Sequence, residues 1–341
     1  MLRRFLRSVS IVLLPCCPIL AAAVDSNSRD FKKYPPVIER PLPATLYAIG
    51  DIHGDYQRLV RLLIAAQIVP AAPATPSDVK WRAGAATLVV TGDMIDKGPR
   101  AVDVLRLLIA LCAAARQSRG EVILLAGNHE AEFLAAPDAR KAADFIADLN
   151  KSGYSPPQVA ACQNDLGAFL CTLPFAARVG DWFFSHAGNT DGRTVGQIAA
   201  DIRSGVGRDG FATKQLTGPN SLLEARLGEG NTWFAAPKGG EKQLLASFAE
   251  ALDAKHIVQG HQHNDVKFAD GVERHTGEMF QRWGLLFLID VGMSEGVGDS
   301  RGAALRIANG KAAAICADGA ETLLWDAATN TDTGRAAPCT R

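Results

Sequence analysis

Five short blocks place oxygen and imidazole groups beside glycine. They are Gly-Asp-Ile-His-Gly at 50–54, Gly-Asp-Met-Ile-Asp-Lys-Gly at 92–98, Gly-Asn-His-Glu at 127–130, Ser-His-Ala-Gly at 185–188 and Gly-His-Gln-His at 260–263. Carboxylate and amide oxygens with neutral imidazole nitrogens suit Mn, Fe, Zn or Co, and the lack of a thiolate argues against a Cys-rich structural zinc site. Asp51, His53, Asp93, Asn128, His186 and His261 are enough to hold two divalent metal ions through one shared carboxylate. His263 joins them if the chain stays extended past His261, because residues two apart on a strand share a face; a turn there would break the relation. A centre of this composition makes a hydroxide nucleophile from water and binds phosphoryl oxygens. One Gly-Asp or Gly-His after an apolar run is ordinary turn chemistry, but five in series are not explained as turns.

Each block needs an element to aim it. Residues 46–49, 87–91 and 122–125 are short apolar runs that read as buried strands, and each ends just before a block. Groups just past the carboxyl end of a strand stand where open α/β sheets place their sites. Asp93, in the middle block, is the best placed to bridge. Leu59, Leu62, Leu63 and Ala66 predict one helix face, and 102–116 repeats the pattern. Residues 130–175 read as mostly helical with a break at Pro156-Pro157, forming a wall over the site. Residues 178–182 predict a hairpin delivering His186, and 244–253 a helix before a strand at 257–258.

In this order the blocks resemble the calcineurin-like metallophosphoesterase superfamily, and the first three stand closest to its phosphoprotein phosphatase branch. Asp290-Val-Gly-Met-Ser294 further resembles a segment of bacterial relatives of the Shewanella-like phosphatases. The resemblance covers residues 45–310. It implies an α/β fold in one domain, two mixed β-sheets packed as a sandwich and flanked by α-helices, with the dimetal centre at one edge. It implies a first metal on Asp51, His53 and Asp93, and a second on Asp93, Asn128, His186 and His261. His129 would be the general acid and Asp96 would orient it, which agrees with a carboxylate raising an imidazole's pKa and fixing its tautomer. Substrate phosphate would meet Asn128, Lys97, Arg100 and Arg226. Two departures stand out. The family's Asp-Arg-Gly reads Asp96-Lys97-Gly98, which replaces a bidentate fork by a point charge, so Arg100 is a candidate to supply the fork. The phosphoprotein phosphatases have one histidine in the last block, whereas the wider superfamily lends its second one, here His263, to the first metal.

The chain has 341 residues with 36 basic and 36 acidic side chains, long enough for a substantial core. Arg3, Arg4 and Arg7 precede an apolar stretch at 9–23 that ends in three alanines. That layout predicts a signal peptide cleaved near Ala23 and export to the periplasm or medium, with no integral membrane span in the mature protein. Loss of 1–23 leaves 33 basic residues, and no cluster of them interleaves with aromatics, which excludes general nucleic-acid binding. The expected plan is a leader at 1–23, a Pro-rich arm at 24–45, the catalytic domain at 46–315, and a C-terminal segment at 316–341 with a poorly ordered tail from 328. Cys112 reads as a free core thiol. Cys162 with Cys171 and Cys316 with Cys339 are pairings that export permits and sequence does not decide.

The reaction expected is hydrolysis of a phosphomonoester by a metal-bridging hydroxide. The substrate is a phosphorylated small molecule, a nucleotide or a phosphoprotein, and the resemblance suggests a serine/threonine-type protein phosphatase. The alternatives are a nucleotide or dinucleoside-polyphosphate hydrolase, and a metal-binding pseudoenzyme that recognises phosphorylated ligands.

Overall fold

The computed structural model describes residues 29–227, 233–234, 240–298, 300–329 and 335–339. The leader assigned to 1–23 lies outside them. The chain begins with β1 (Val37–Arg40), β2 (Thr45–Ile49), α1 (Tyr56–Ala65), β3 (Thr87–Val90), α2 (Ala101–Gln117) and β4 (Glu121–Leu124). A helical stretch follows, with α3 (Asn128–Ala135), α4 (Ala143–Lys151), α5 (Pro156–Ala160) and α6 (Asn164–Leu170). Next come the hairpin β5 (Ala176–Val179) and β6 (Trp182–Ser185), then α7 (Val195–Asp209), α8 (Lys214–Thr217) and α9 (Glu241–Ala251). The rest is β: β7 (His256–Gln259), β8 (Val266–Lys267), β9 (Glu273–Arg274), β10 (Glu278–Arg282), β11 (Leu286–Leu288), β12 (Ala303–Ala308), β13 (Lys311–Cys316), β14 (Glu321–Asp326) and β15 (Arg335–Pro338).

Two mixed sheets result, one ordered β1-β5-β6-β7-β11-β10-β15 and the other β14-β13-β12-β2-β3-β4, with β8 and β9 as a small separate hairpin. The apolar runs are continuous because both faces of each central strand are covered. Leu46, Ala48 and Val89 pack with Val179, Trp182, Phe184, Val258 and Phe287 between the sheets. Tyr47, Ile49, Leu88 and Val90 point the other way, into a core shared with Leu59, Leu62 and Leu63 of α1 and Leu105 and Leu108 of α2. The predicted helix face at 59–66 is therefore the buried one, and Asp55 caps that helix by accepting the Arg58 N–H at 3.0 Å.

Parallel pairing of β2, β3 and β4 sends the blocks at Asp51, Asp93 and Asn128 off one edge of their sheet. The parallel trio β6, β7 and β11 does the same for His186, His261 and Asp290 in the other. The helical wall is tied down chemically. Asp148 of α4 accepts the Val102 N–H at the start of α2, and Cys162 is bonded to Cys171 across α5 and α6. Pro156-Pro157 opens α5 rather than breaking a helix, since proline at the first turn forfeits no bond.

Both ends differ from the expected plan. The arm at 24–45 contains β1, which pairs with β5, and buried Arg29 donates to the carbonyls of Tyr34, Cys171, Thr172 and Leu173. The boundary at 315/316 falls inside β13. The tail expected to be poorly ordered from 328 contains β15, paired with β10, and Cys339, bonded to Cys316. β1 and β15 form because strands of distant segments satisfy their backbone. The bond between Cys316 and Cys339 joins the end of β13 in one sheet to the residue after β15 in the other, while Cys112 is free and half-buried. Closing this 23-residue separation is worth about 3 kcal/mol. Cys339→Ser should therefore lower unfolding free energy by about that amount, read as a lower denaturant midpoint than wild type under oxidising conditions and no difference once both are reduced.

Candidate metal centre

Asp93 is the hub. Its Oδ2 lies 3.6 Å from His53 Nε2, 3.4 Å from His186 Nε2 and 3.9 Å from His129 Nε2. Donor atoms of His53, Asp93 and His129 all fall within 4.8 Å of one another, as do those of Asp93, His186 and His261. The two groups share Asp93, as a bridging carboxylate requires. Asp51 Oδ2 stands 3.8 Å from His53 Nε2, and its Oδ1 accepts the His261 N–H at 3.0 Å. Asn128, the first residue of α3, has its Oδ1 3.0 Å from His186 Nε2, and His261 Nδ1 is also 3.0 Å from that nitrogen.

These residues fit cations. The Thr91 carbonyl accepts from His186 Nδ1 at 3.0 Å and the Ile95 carbonyl from His53 Nδ1 at 3.1 Å, which turns each Nε2 inward, where it can ligate once free of a proton. His186 Nε2 then faces an amide oxygen, an imidazole nitrogen and a carboxylate, an arrangement of acceptors that needs positive charge among them. Burial disfavours charge on His186, yet Asp93 and Asp51 hold its pKa up at about 10. Burial takes His53 down to about 4 against the pull of Asp93. Burial and then the charge of Asp290 raise Asp51 well above the usual carboxylate range, whereas His186 and His129 overcome burial to hold Asp93 well below it. Buried carboxylates balanced only by imidazoles that must lose protons to ligate are what a divalent ion neutralises.

The local backbone is unusual. His53, Asp93, Asp96, Lys97 and His261 all have φ between 48° and 62°, the left-handed region that non-glycine residues rarely enter. Packing enforces it. Gly92 and Gly127 run so close that a Cβ on Gly92 would lie 2.4 Å from the Gly127 nitrogen, and one on Gly260 would meet Asp51 Oδ1 at 2.4 Å. The block at 51–54 hangs on its neighbour, with the Ile52 and His53 N–H groups donating to the Asp93 carbonyl and Gly54 N–H to that of Met94.

Glu130 is a functional residue that sequence reasoning did not single out. Its Oε2 accepts from Gly127 and Asp93 N–H at 2.7 and 2.9 Å, and its Oε1 from Met94 and Ile95 N–H at 2.8 and 3.2 Å. One buried carboxylate thus shapes the loop that carries Asp93. Burial and the charge of Asp93 push its pKa up to about 7, while the N–H donors favour the carboxylate. The available signal was a Glu three residues after the glycine that opens a helix, the acidic half of a capping box.

His129 sits at the edge of the cluster. Its Nδ1 meets Asp96 Oδ2 at 2.9 Å, and Asp96 Oδ1 accepts the Phe145 N–H from α4 at 3.1 Å. Burial opposes charge on this ring, but Asp93 and Asp96 outweigh it and raise its pKa. Lys97 lies near enough for its charge to act on both His53 and His129. Arg226 is exposed, and its charge reaches His261.

Two candidates are not where they were expected. Arg100 turns away to Asp103, at 2.7 and 2.9 Å, and stacks over Tyr56 at 4.2 Å, so its fork is engaged at the start of α2. His263 does not join the cluster. β7 ends at Gln259 and His261 is left-handed, which breaks the strand relation, and the His263 ring faces Asp290 at 3.5 Å.

The calcineurin-like phosphoesterase family model matches residues 44–265, most of the chain and all five blocks. The chain belongs to that family. It is 44% identical over 283 residues to an uncharacterized protein of Schizosaccharomyces pombe, covering 78% of this chain and 77% of that one. It is 32% identical over 143 residues to a symmetrical bis(5'-nucleosyl)-tetraphosphatase of Methylococcus capsulatus, a match that spans only 42% of either protein. Its fold resembles that of a cold-active protein-tyrosine phosphatase from a psychrophilic Shewanella, with a TM-score of 0.64, 20% identity, and coverage of 85% of this chain and 82% of the other. Membership places the chain in the dimetal phosphoesterase superfamily.

Glu130→Gln tests the brace independently of catalysis. An amide cannot accept from all four N–H groups, so stability at mildly alkaline pH should fall by about 2–3 kcal/mol, measured by chemical denaturation. An unchanged midpoint with unchanged metal content would show that the loop holds without it.

Proposed function

We propose that the protein hydrolyses phosphomonoesters, with His129 as the acid that protonates the departing oxygen. The observation that carries this is the buried His129–Asp96 pair, 2.9 Å apart, set against the carboxylate shared by both donor groups. Two divalent ions, Mn, Fe, Zn or Co, held by Asp51, His53, Asp93, Asn128, His186 and His261, would activate water and neutralise phosphoryl charge. The side chains supply the rest. Lys97 and Arg226 offer cationic donors to the phosphoryl oxygens. Displacement breaks the bond between phosphorus and the alcohol oxygen, which leaves with the electron pair. His129 Nε2 gives that oxygen its proton. Asp96, accepting from Nδ1, keeps Nε2 facing the centre and stabilises the imidazolium before transfer. Asp96 is itself held by a main-chain N–H, so the acid is positioned before substrate arrives.

A phosphoprotein or small phosphorylated molecule suits this reading. The relative named as a tetraphosphatase favours a second one, hydrolysis of a dinucleoside polyphosphate. Turnover of p-nitrophenyl phosphate with added Mn separates an enzyme from a phosphate-recognising pseudoenzyme. A panel of phosphopeptides, mononucleotides and dinucleoside polyphosphates separates the substrates. Export is part of the proposal, supported by the basic-then-apolar start and by two disulfides of the kind that persist in oxidising compartments. Mature protein beginning after Ala23 in a periplasmic or culture-medium fraction checks it.

His129→Asn should lower kcat by about 10²–10⁴-fold with metal content unchanged, and the defect should be smaller for p-nitrophenyl phosphate than for phenyl phosphate. Equal defects on the two esters would sink the acid assignment.

The pH dependence has a definite sign. Activity needs protonated His129, so kcat should fall as pH rises through its raised pKa, placing the alkaline limb above the ordinary imidazole range. Asp96→Asn removes one of the charges that raise that pKa and should move the limb to lower pH. A limb that stays in place would detach Asp96 from the proton.

A further inference from the structure

Asp290 and His263 stand beside the first cation position, and the mechanism above uses neither. β11 leads into Asp290 as its parallel neighbour β7 leads toward His261, and the Ile289 N–H donates to the Gln259 carbonyl at 2.9 Å. The Asp290 backbone lies against the first block, since a Cβ on Gly50 would fall 2.9 Å from Asp290 Cα. The side chain is fully buried. Its Oδ1 accepts the Gly292 N–H at 2.8 Å, and its Oδ2 has no hydrogen-bond partner. His263 Nδ1 stands 3.5 Å from that oxygen. Arg274 is buried close by. The guanidinium donates to the carbonyls of Glu278, Asn264 and Asp290 itself, which fixes the loop, and its charge together with that of His263 keeps the buried carboxylate ionised against burial. Asp290 is the leading charged neighbour of Asp51, and its charge also reaches His53 and His261. Two adjacent buried carboxylates with a free oxygen repel unless positive charge lies near both.

We infer that Asp290 is a further anionic group of the first cation position, held there by the Arg274-bound loop and flanked by His263. The inference rests on the two-cation reading proposed above. His263 thereby acts on the first cation through Asp290 and not as a ligand of its own. The Asp290-Val-Gly-Met-Ser294 run acquires a role: it turns a carboxylate back toward Asp51 from the opposite sheet.

The test is binding of Mn²⁺ to chelator-stripped full-length protein, followed by calorimetric titration and by the rise in melting temperature. Wild type should take two ions. Asp290→Asn, which keeps the shape and removes the charge, should bind one ion as before and the other at least about tenfold more weakly. Unchanged affinities at both positions would overturn the inference while leaving the dimetal reading intact. Fewer than two ions in wild type would defeat the dimetal reading and this inference with it. Should Asp290→Asn fail to fold, position 263, whose side chain is partly exposed, decides. His263→Lys puts an ammonium beside the carboxylate and should weaken the same ion about tenfold, with His263→Gln staying within about twofold. Wild-type binding by the Lys variant would overturn the inference.

Discussion

A buried carboxylate surrounded by imidazoles cannot stand alone in a protein interior, and Asp93 is that carboxylate. Its desolvation must be offset by positive charge and by hydrogen bonds, and the neighbouring structure supplies both. His53, His186 and His129 converge on one of its oxygens, the His129 N–H meets the other, and Glu130 holds its own N–H. Because Ile52 and His53 hang on the Asp93 carbonyl, the first block takes its position from the second. Because Glu130 spans Gly127 and the 93–95 loop, so does the third. The strained left-handed residues persist because several interactions over-determine each of them, which is the usual condition for strain at a site.

The second dependence runs outward from His129. Asp96 links that ring to the main chain of α4, α4 caps α2 through Asp148, and the helical stretch is closed by the bond between Cys162 and Cys171. Arg29 then fastens the N-terminal arm to the carbonyls just past α6. The wall over the site is therefore not a detachable cover. It carries one hydrogen bond of the acid's own support, so changes in the wall can reach the proton without touching a cation ligand.

Lys97 is where this chain differs most from the pattern it otherwise follows. A point charge replaces a planar fork, and the nearby Arg100 does not restore it, because Asp103 and Tyr56 engage its guanidinium. In the proposed reading, the position after Asp96 offers phosphate a single ammonium in place of a fork.

Much was legible from residues 50–54, 92–98, 127–130, 185–188 and 260–263 alone. Their donor types are set by metal chemistry, and apolar runs before them announce strands whichever way the chain later folds. The central placing of Asp93 followed from that, while the α/β sandwich and the pairing of Asp96 with His129 came through the family resemblance. Geometry over long sequence distances was not legible. Whether His263 points inward depends on one left-handed residue at His261, whose N–H donates to Asp51, more than two hundred residues earlier. Where the Arg100 fork goes depends on which partner packs closer. The ends of the chain look like linkers locally, but β1, β15 and the bond between Cys316 and Cys339 are ordered by a sheet assembled from distant segments. Sequence by itself determined which groups could do the chemistry, because ligand type is a local property. Tertiary structure alone decided which of them face one another, because burial, strand register and charge compensation are settled only when both sheets are in place.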